Sequence, residues 1–321
     1  MSNSPHNNSN PLETAPLAQL QGTPIDAVLN IIDQGLVHLP SYRELYYRWE
    51  RQQWQAQELD FSYDQQQWQS MPPEERQARM YGLSAFFKGE ECVTNTLAPY
   101  VVAMPEEEMR LFLTTQLVDE ARHTVFFDRF FREVLGVEQE SLDGALQVAV
   151  GYMNEHLRTI LIEALAEIAE RIRQEPGQLA HLIEGVTLYH IIVEGTMALA
   201  GQRSILETYR QFNLFPAFRA GFTAVARDES RHVLFGVKFL RDMIQQDHER
   251  AQIVYAAVQK YLPTALAGIT PPEREIPQYL AARVDPWQTP RYAIESLRKK
   301  LKGIGLSMEL PSVPPPPVFQ A

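Results

Sequence analysis

Cysteine is almost absent: Cys92 is the only one in 321 residues, so no disulfide can close within a chain. Long apolar runs are missing too. No stretch of 18 consecutive apolar residues occurs and mean hydropathy is -0.26, which argues against a membrane span. Positive charge is in short supply, with 29 Lys and Arg against 40 Asp and Glu and a net charge of -11. Binding to phosphate backbones needs a basic face, so nucleic acid is not an expected partner, and neither is an anionic membrane surface. Met1 to Pro24 are rich in Asn, Ser and Pro but lack a basic segment followed by an apolar one, so they do not read as a secretory signal. With a single cysteine, this gives the expectation of a cytoplasmic protein.

Strand signals are scarce and helical periodicity dominates, which makes the fold class all-α. Residues 1–25 read as a disordered extension, 26–305 as one helical domain, and 306–321 as a disordered tail around Val-Pro-Pro-Pro-Pro-Val. The first strong helix opens at Pro72-Pro73-Glu74-Glu75 and should stop before Pro99. Further helices are expected from Pro105 to Gly136, over about 148–174, after Pro176-Gly177, from Pro216, and over about 251–261 and 290–301.

The chemistry lies in a pentapeptide present twice. Asp119-Glu120-Ala121-Arg122-His123 recurs as Asp228-Glu229-Ser230-Arg231-His232. At average residue usage such a match arises on the order of once in 10⁵–10⁶ windows. Glu and His at i and i+3 share a helix face, and Glu-x-x-His on each of two helices is half of a dinuclear metal site in a bundle. The other half is one carboxylate from each of two more helices. Glu194 sits between Ile191-Ile192-Val193 and Met197, and Glu90 lies between Phe86-Phe87 and Val93, with Glu91 beside it as an alternative. A carboxylate in such surroundings needs compensation, and two divalent cations against four carboxylates supply it. Oxygen-rich ligands with two imidazoles suit iron or manganese. Gly89 and Gly195, next to the lone glutamates, suggest close backbone approach at both. Asp119 and Asp228 are candidates to hold the imidazoles from behind, or to pair with Arg122 and Arg231. His190, four residues before Glu194, is a weaker candidate for a seventh ligand.

At Gly89-Glu90-Glu91-Cys92-Val93-Thr94, Tyr189-His190-Ile191-Ile192-Val193-Glu194-Gly195 and the second pentapeptide, the chain resembles the ferritin-like superfamily and the ribonucleotide reductase small subunit. It more closely resembles a sister group, the ligand-binding oxidases related to that subunit. The resemblance runs from about Trp49 to Leu240. It implies a ferritin-like bundle, a Mn and Fe pair (or two Fe) that activates O₂, a long-chain fatty acid bound at the metals, and a homodimer. It also implies an ether cross-link between a valine three residues after the first ligand glutamate and a tyrosine five before the third. These positions are Val93 and Tyr189, and the pair selects Glu90 over Glu91. The implied ligands are then Glu90, Glu120, His123, Glu194, Glu229 and His232. The Glu90–Glu120 interval is a few residues shorter than usual for the group, which predicts an altered tunnel wall near the Pro99–Pro105 turn.

Rival readings differ at few positions. A reductase small subunit ordinarily keeps a radical tyrosine four residues after the first ligand histidine, where this chain has Phe127, and no tyrosine follows Tyr292. A non-enzymatic metal- or lipid-binding bundle would need neither Val93 nor Tyr189.

Overall fold

A computed structural model describes residues 11–281 and 284–318, and no strand occurs among them. The helices are α1 (Leu17–Leu20), α2 (Ile25–Val37), α3 (Tyr42–Arg51), α4 (Ser62–Ser70), α5 (Pro73–Ala103), α6 (Glu107–Glu133), α7 (Leu142–Tyr152), α8 (155–174), α9 (Leu179–Gln211), α10 (Pro216–Gln246), α11 (Ala251–Ile269), α12 (Ile276–Ala281) and α13 (Gln288–Ile304). The centre is the bundle of α5, α6, α9 and α10, and it carries every candidate metal ligand.

Local chemistry explains most of the boundaries. Pro73 stands at the first turn of α5 with Glu74 and Glu75 behind it, where the missing N–H costs nothing and acids meet the helix dipole. Gly136, at φ 71°, follows α6 in the left-handed conformation that only glycine adopts easily. Pro216 opens α10, and Asp64 accepts from the backbone N–H groups of Ala217 and Phe218 at 3.2 and 2.7 Å. α9 is apolar and long enough to cross a bilayer by composition, but 89% of its most apolar window is buried inside the bundle.

Several expectations need correction. α5 does not stop before Pro99 but continues to Ala103, with Leu97 and Tyr100 fully buried. Burial of that last turn outweighs the lost N–H, a penalty of about 3 kcal/mol. The helix expected over 148–174 breaks at Met153, and Asn154 caps the new start by accepting from Leu157 N at 2.8 Å. Helices α1 to α4 precede the first one read from sequence. Residues 11–25 are not disordered, since Ala15 and Leu20 are buried in the core. Nor does the tail read as disordered over 306–318. Met308, Leu310 and Val313 pack on the core, and Arg291 donates to the Pro314 carbonyl at 3.0 Å. Residues 1–10 and 319–321, the outer parts of those two readings, lie outside the described residues.

Candidate metal centre

α5 brings Glu90 to the bundle axis, α6 brings Glu120 and His123, α9 Glu194, and α10 Glu229 and His232. All six are buried. They form two groups of four ligand atoms, Glu90/Glu120/His123/Glu229 and Glu120/Glu194/Glu229/His232, each within 4.8 Å. Glu120 and Glu229 belong to both groups, so the two share carboxylates as a dinuclear centre requires. His123 Nδ1 lies 3.3 Å from Glu90 Oε2 and 3.5 Å from Glu120 Oε2. His232 Nδ1 lies 3.3 Å from Glu120 Oε1 and 3.5 Å from Glu194 Oε1. Glu91 points elsewhere and pairs with Lys88.

The electrostatics are those of a donor set facing a cation. Glu120 Oε2, Glu194 Oε2, Glu229 Oε2 and His232 Nδ1 are buried and bonded to no protein atom. Burial pushes Glu90 up to about 8. Burial and the Glu229 charge hold Glu194 well above the carboxylate range. At Glu120 burial acts upward too, but the adjacent His123 imidazole and the His232 charge outweigh it and hold it at about 2. Burial also opposes charge on His123 and His232. The facing Glu90 and Glu229, with bonds to Asp228 and Asp119, nonetheless raise both well above the ordinary value. Protons shared in this way are what divalent ions displace on binding. Four carboxylates and two imidazoles therefore fit two such ions.

Behind the ligands the two pentapeptides cross. His123 Nε2 donates to Asp228 at 3.3 Å, and His232 Nε2 donates to Asp119 at 3.2 Å, so each aspartate orients the histidine of the other motif. Arg231 ties the aspartates together at 2.7 and 2.9 Å. Trp49 donates to Asp119 at 3.0 Å and Trp54 to Asp228 at 2.7 Å, which explains why α3 is packed here. Asp119 also takes Arg122, so orientation and ion pairing, read from sequence as alternatives, coexist.

Gln116, absent from the sequence reading, donates to Glu194 at 2.9 Å and to Glu120 at 3.2 Å. It stands four residues before Glu120 on the same face, which was a visible signal. His190 belongs to neither ligand group. Its Nε2 donates to Gln116 Oε1 at 3.1 Å, and burial lowers it to about 3, so it is neutral. Tyr189 donates to Glu120 Oε1 at 3.0 Å. Phe127 is fully buried against Phe86, Phe87, Phe126, Phe218 and Phe222.

An apolar channel leads outward from Glu90, Glu120, Glu194 and Glu229 between α5, α8, α9 and α11. Its wall includes Tyr81, Gly89, Val93, Leu161, Met197, Gly201 and Ile269. No residue between Pro99 and Pro105 lines it, so that turn is not part of the channel wall.

A helical bundle whose core holds paired Glu-x-x-His motifs and two further glutamates is a dinuclear carboxylate protein. Residues 37–267 match the family described as ribonucleotide reductase, small chain, and the chain belongs to it. Similar solved structures are R2-like ligand-binding oxidases. One is a valine-to-isoleucine variant with an anaerobically reconstituted Mn/Fe cofactor, 26% identical over 84% of this chain and 94% of that one, with a TM-score of 0.72. The same variant reconstituted aerobically gives 26% identity over 84% and 95% and a TM-score of 0.73. A tyrosine-to-phenylalanine variant reconstituted aerobically gives 26% over 84% and 94% and a TM-score of 0.71. Family, neighbours and site together make this chain an oxidoreductase with a buried dinuclear metal centre.

Proposed function

We propose that the protein is an O₂-activating oxidase that carries out a two-electron oxidation beside a bound long-chain fatty acid. The channel carries this reading. Its wall is apolar and contains no Lys, Arg or His, so an anionic head group finds positive charge only at metal ions held by the inner carboxylates. Glu90 and His123 would hold one ion and Glu194 and His232 the other, with Glu120 and Glu229 shared between the two. The Mn/Fe neighbours support a mixed pair, with two irons as the alternative. Once bound, the ions supply the reduction of O₂. The chain positions and shields. Gln116 and the crossed aspartates fix the ligands, and Phe86, Phe126 and Phe127 keep water from one side.

Tyr189 keeps its hydroxyl proton, since burial and the Glu120 charge raise it well above the phenol range. A cross-link to Val93 breaks one C–H and one O–H bond and forms one C–O bond, with two protons and two electrons passing to O₂. Two observations disfavour the reductase small subunit that the family match also suggests: the phenylalanine-packed Phe127 and the structural neighbours. A cytoplasmic homodimer completes the reading.

The test is anaerobic loading with Mn(II) and Fe(II), admission of air, and mass spectrometry of intact protein and peptides. A loss of two hydrogens joining the Val93 and Tyr189 peptides supports the cross-link. Unlinked peptides from metal-loaded protein would sink it. Nucleotide reduction restored by a large subunit would establish the rival.

A further inference from the structure

Outside the four carboxylates, the channel wall holds few polar side chains. Tyr81 is satisfied, donating to the Gly268 carbonyl at 2.7 Å and accepting from Asn154 at 2.6 Å. Ser204 is exposed and Thr289 half-buried, so both can use solvent. Gln202 differs from all of these. It lines the channel and is 0% exposed, yet neither its amide nitrogen nor its amide oxygen bonds to any protein atom. Buried amides rarely stay unpaired, so such a group in a ligand channel calls for a ligand atom. Gln202 follows Glu194 by eight residues on α9, half of them in the π-wound stretch, which places it about 10–12 Å farther along the axis. A long acyl chain with its head at the carboxylates reaches that level near its middle.

We infer that Gln202 is a specificity-determining residue and that the natural ligand is a fatty acid with a hydroxyl group near mid-chain. An amide offers one acceptor and two donors, and a hydroxyl both donates and accepts, so it answers both atoms of Gln202. A keto group answers only the nitrogen, and a plain methylene chain answers neither. This rests on the fatty-acid reading above and adds the position and kind of the substituent.

The test uses metal-loaded, delipidated holoenzyme and isothermal titration. The probes are stearic acid, hydroxystearic acids substituted near the head, at mid-chain and near the tail, and the mid-chain keto acid. The mid-chain hydroxy acid is expected to bind about tenfold tighter than stearic acid, with the keto acid between them. Gln202→Leu should abolish that preference and leave stearic acid bound at least as well. Stearic acid binding with no gain from any hydroxyl would overturn this inference and leave the fatty-acid reading standing. If no probe binds, the fatty-acid reading fails and the inference with it. The positional series in the unmodified protein decides the matter even if the variant fails to fold.

Discussion

The two halves of the metal centre share one signature, a lone glutamate beside a glycine followed by Glu-x-x-His, but they are built differently. α5 is regular α-helix around Glu90. α9 winds as a π-helix from Thr187 to Ala198, with Thr196 Oγ1 bonding the Ile191 carbonyl five residues back at 2.6 Å. The winding matters because Tyr189 and Glu194 are five residues apart. On an α-helix they would point about 140° apart, yet here both reach the carboxylate cluster. The glycines differ in the same sense. A Cβ on Gly89 would find its nearest neighbour, Leu161 Cδ1, at 3.8 Å. One on Gly195 would meet the His190 carbonyl at 2.7 Å and Lys300 at 2.8 Å. One half opens onto the channel and the other is braced from behind by the Lys300 side chain; the carbonyl beside Gly195 belongs to its own helix, so neither glycine shows the expected close approach of a second backbone.

The largest effect should come from removing a ligand. Glu194→Ala is expected to lose the ion on the α9/α10 half and all oxidase activity, measured as metal per chain by mass spectrometry. Full metal content in that variant would break the proposed division of ligands. Next comes the crossing of the aspartates. Asp119→Asn should weaken metal binding by about 10–100-fold, and mainly at the ion held by His232, although Asp119 belongs to the other motif. Anomalous diffraction after loading with limiting metal reads each ion separately. Preferential loss at His123 would refute the crossed arrangement.

The candidate ligands were legible because duplication at fixed spacing survives without any knowledge of the fold. Glu90, Glu120, His123, Glu194, Glu229 and His232 all face one another, as the doubled E…ExxH pattern implies. Trp49, Trp54 and Gln52, whose Oε1 accepts from Arg231, were hidden. They reach the site from α3 and the loop after it, and no periodic pattern links them to residues 70 to 180 positions away. The start of α3 itself was readable, since Ser41 and Glu44 form a capping pair in which Ser41 Oγ accepts from Glu44 N at 3.1 Å. The π-winding of α9 left no signal in an apolar run that reads equally well as α-helix. The continuation through Pro99 depends on packing that sequence does not show.

Alanine at the two glycines sharpens the contrast between the halves at a smaller scale. Gly195→Ala should cost about 1–3 kcal/mol in chemical denaturation, because its Cβ meets backbone that cannot withdraw. Gly89→Ala should be neutral or stabilising by about 0.5–1 kcal/mol, as expected for glycine in a helix interior with space beside it. Equal losses at both positions would erase the distinction between open and braced halves.

The last contrast concerns the brace itself, which lies beyond the family match. Lys300 on α13 is buried and donates to Ser296 Oγ at 2.5 Å, and Ser296 donates to the Gly195 carbonyl at 2.9 Å. Burial lowers Lys300 from 10.5 to about 7. Between those values the unfolded chain binds a proton that the folded chain does not, so this residue's contribution to stability rises with pH from about 7 to 10.5. Below about 7 the penalty for the buried charge is complete and no longer changes. Lys300→Met carries no such penalty. Thermal unfolding should therefore show the variant doing best relative to the unmodified protein near neutral pH and losing that advantage as pH is raised. A difference that stays constant with pH would mean that Lys300 keeps its charge when folded, and that α13 braces Gly195 through an ammonium rather than an amine.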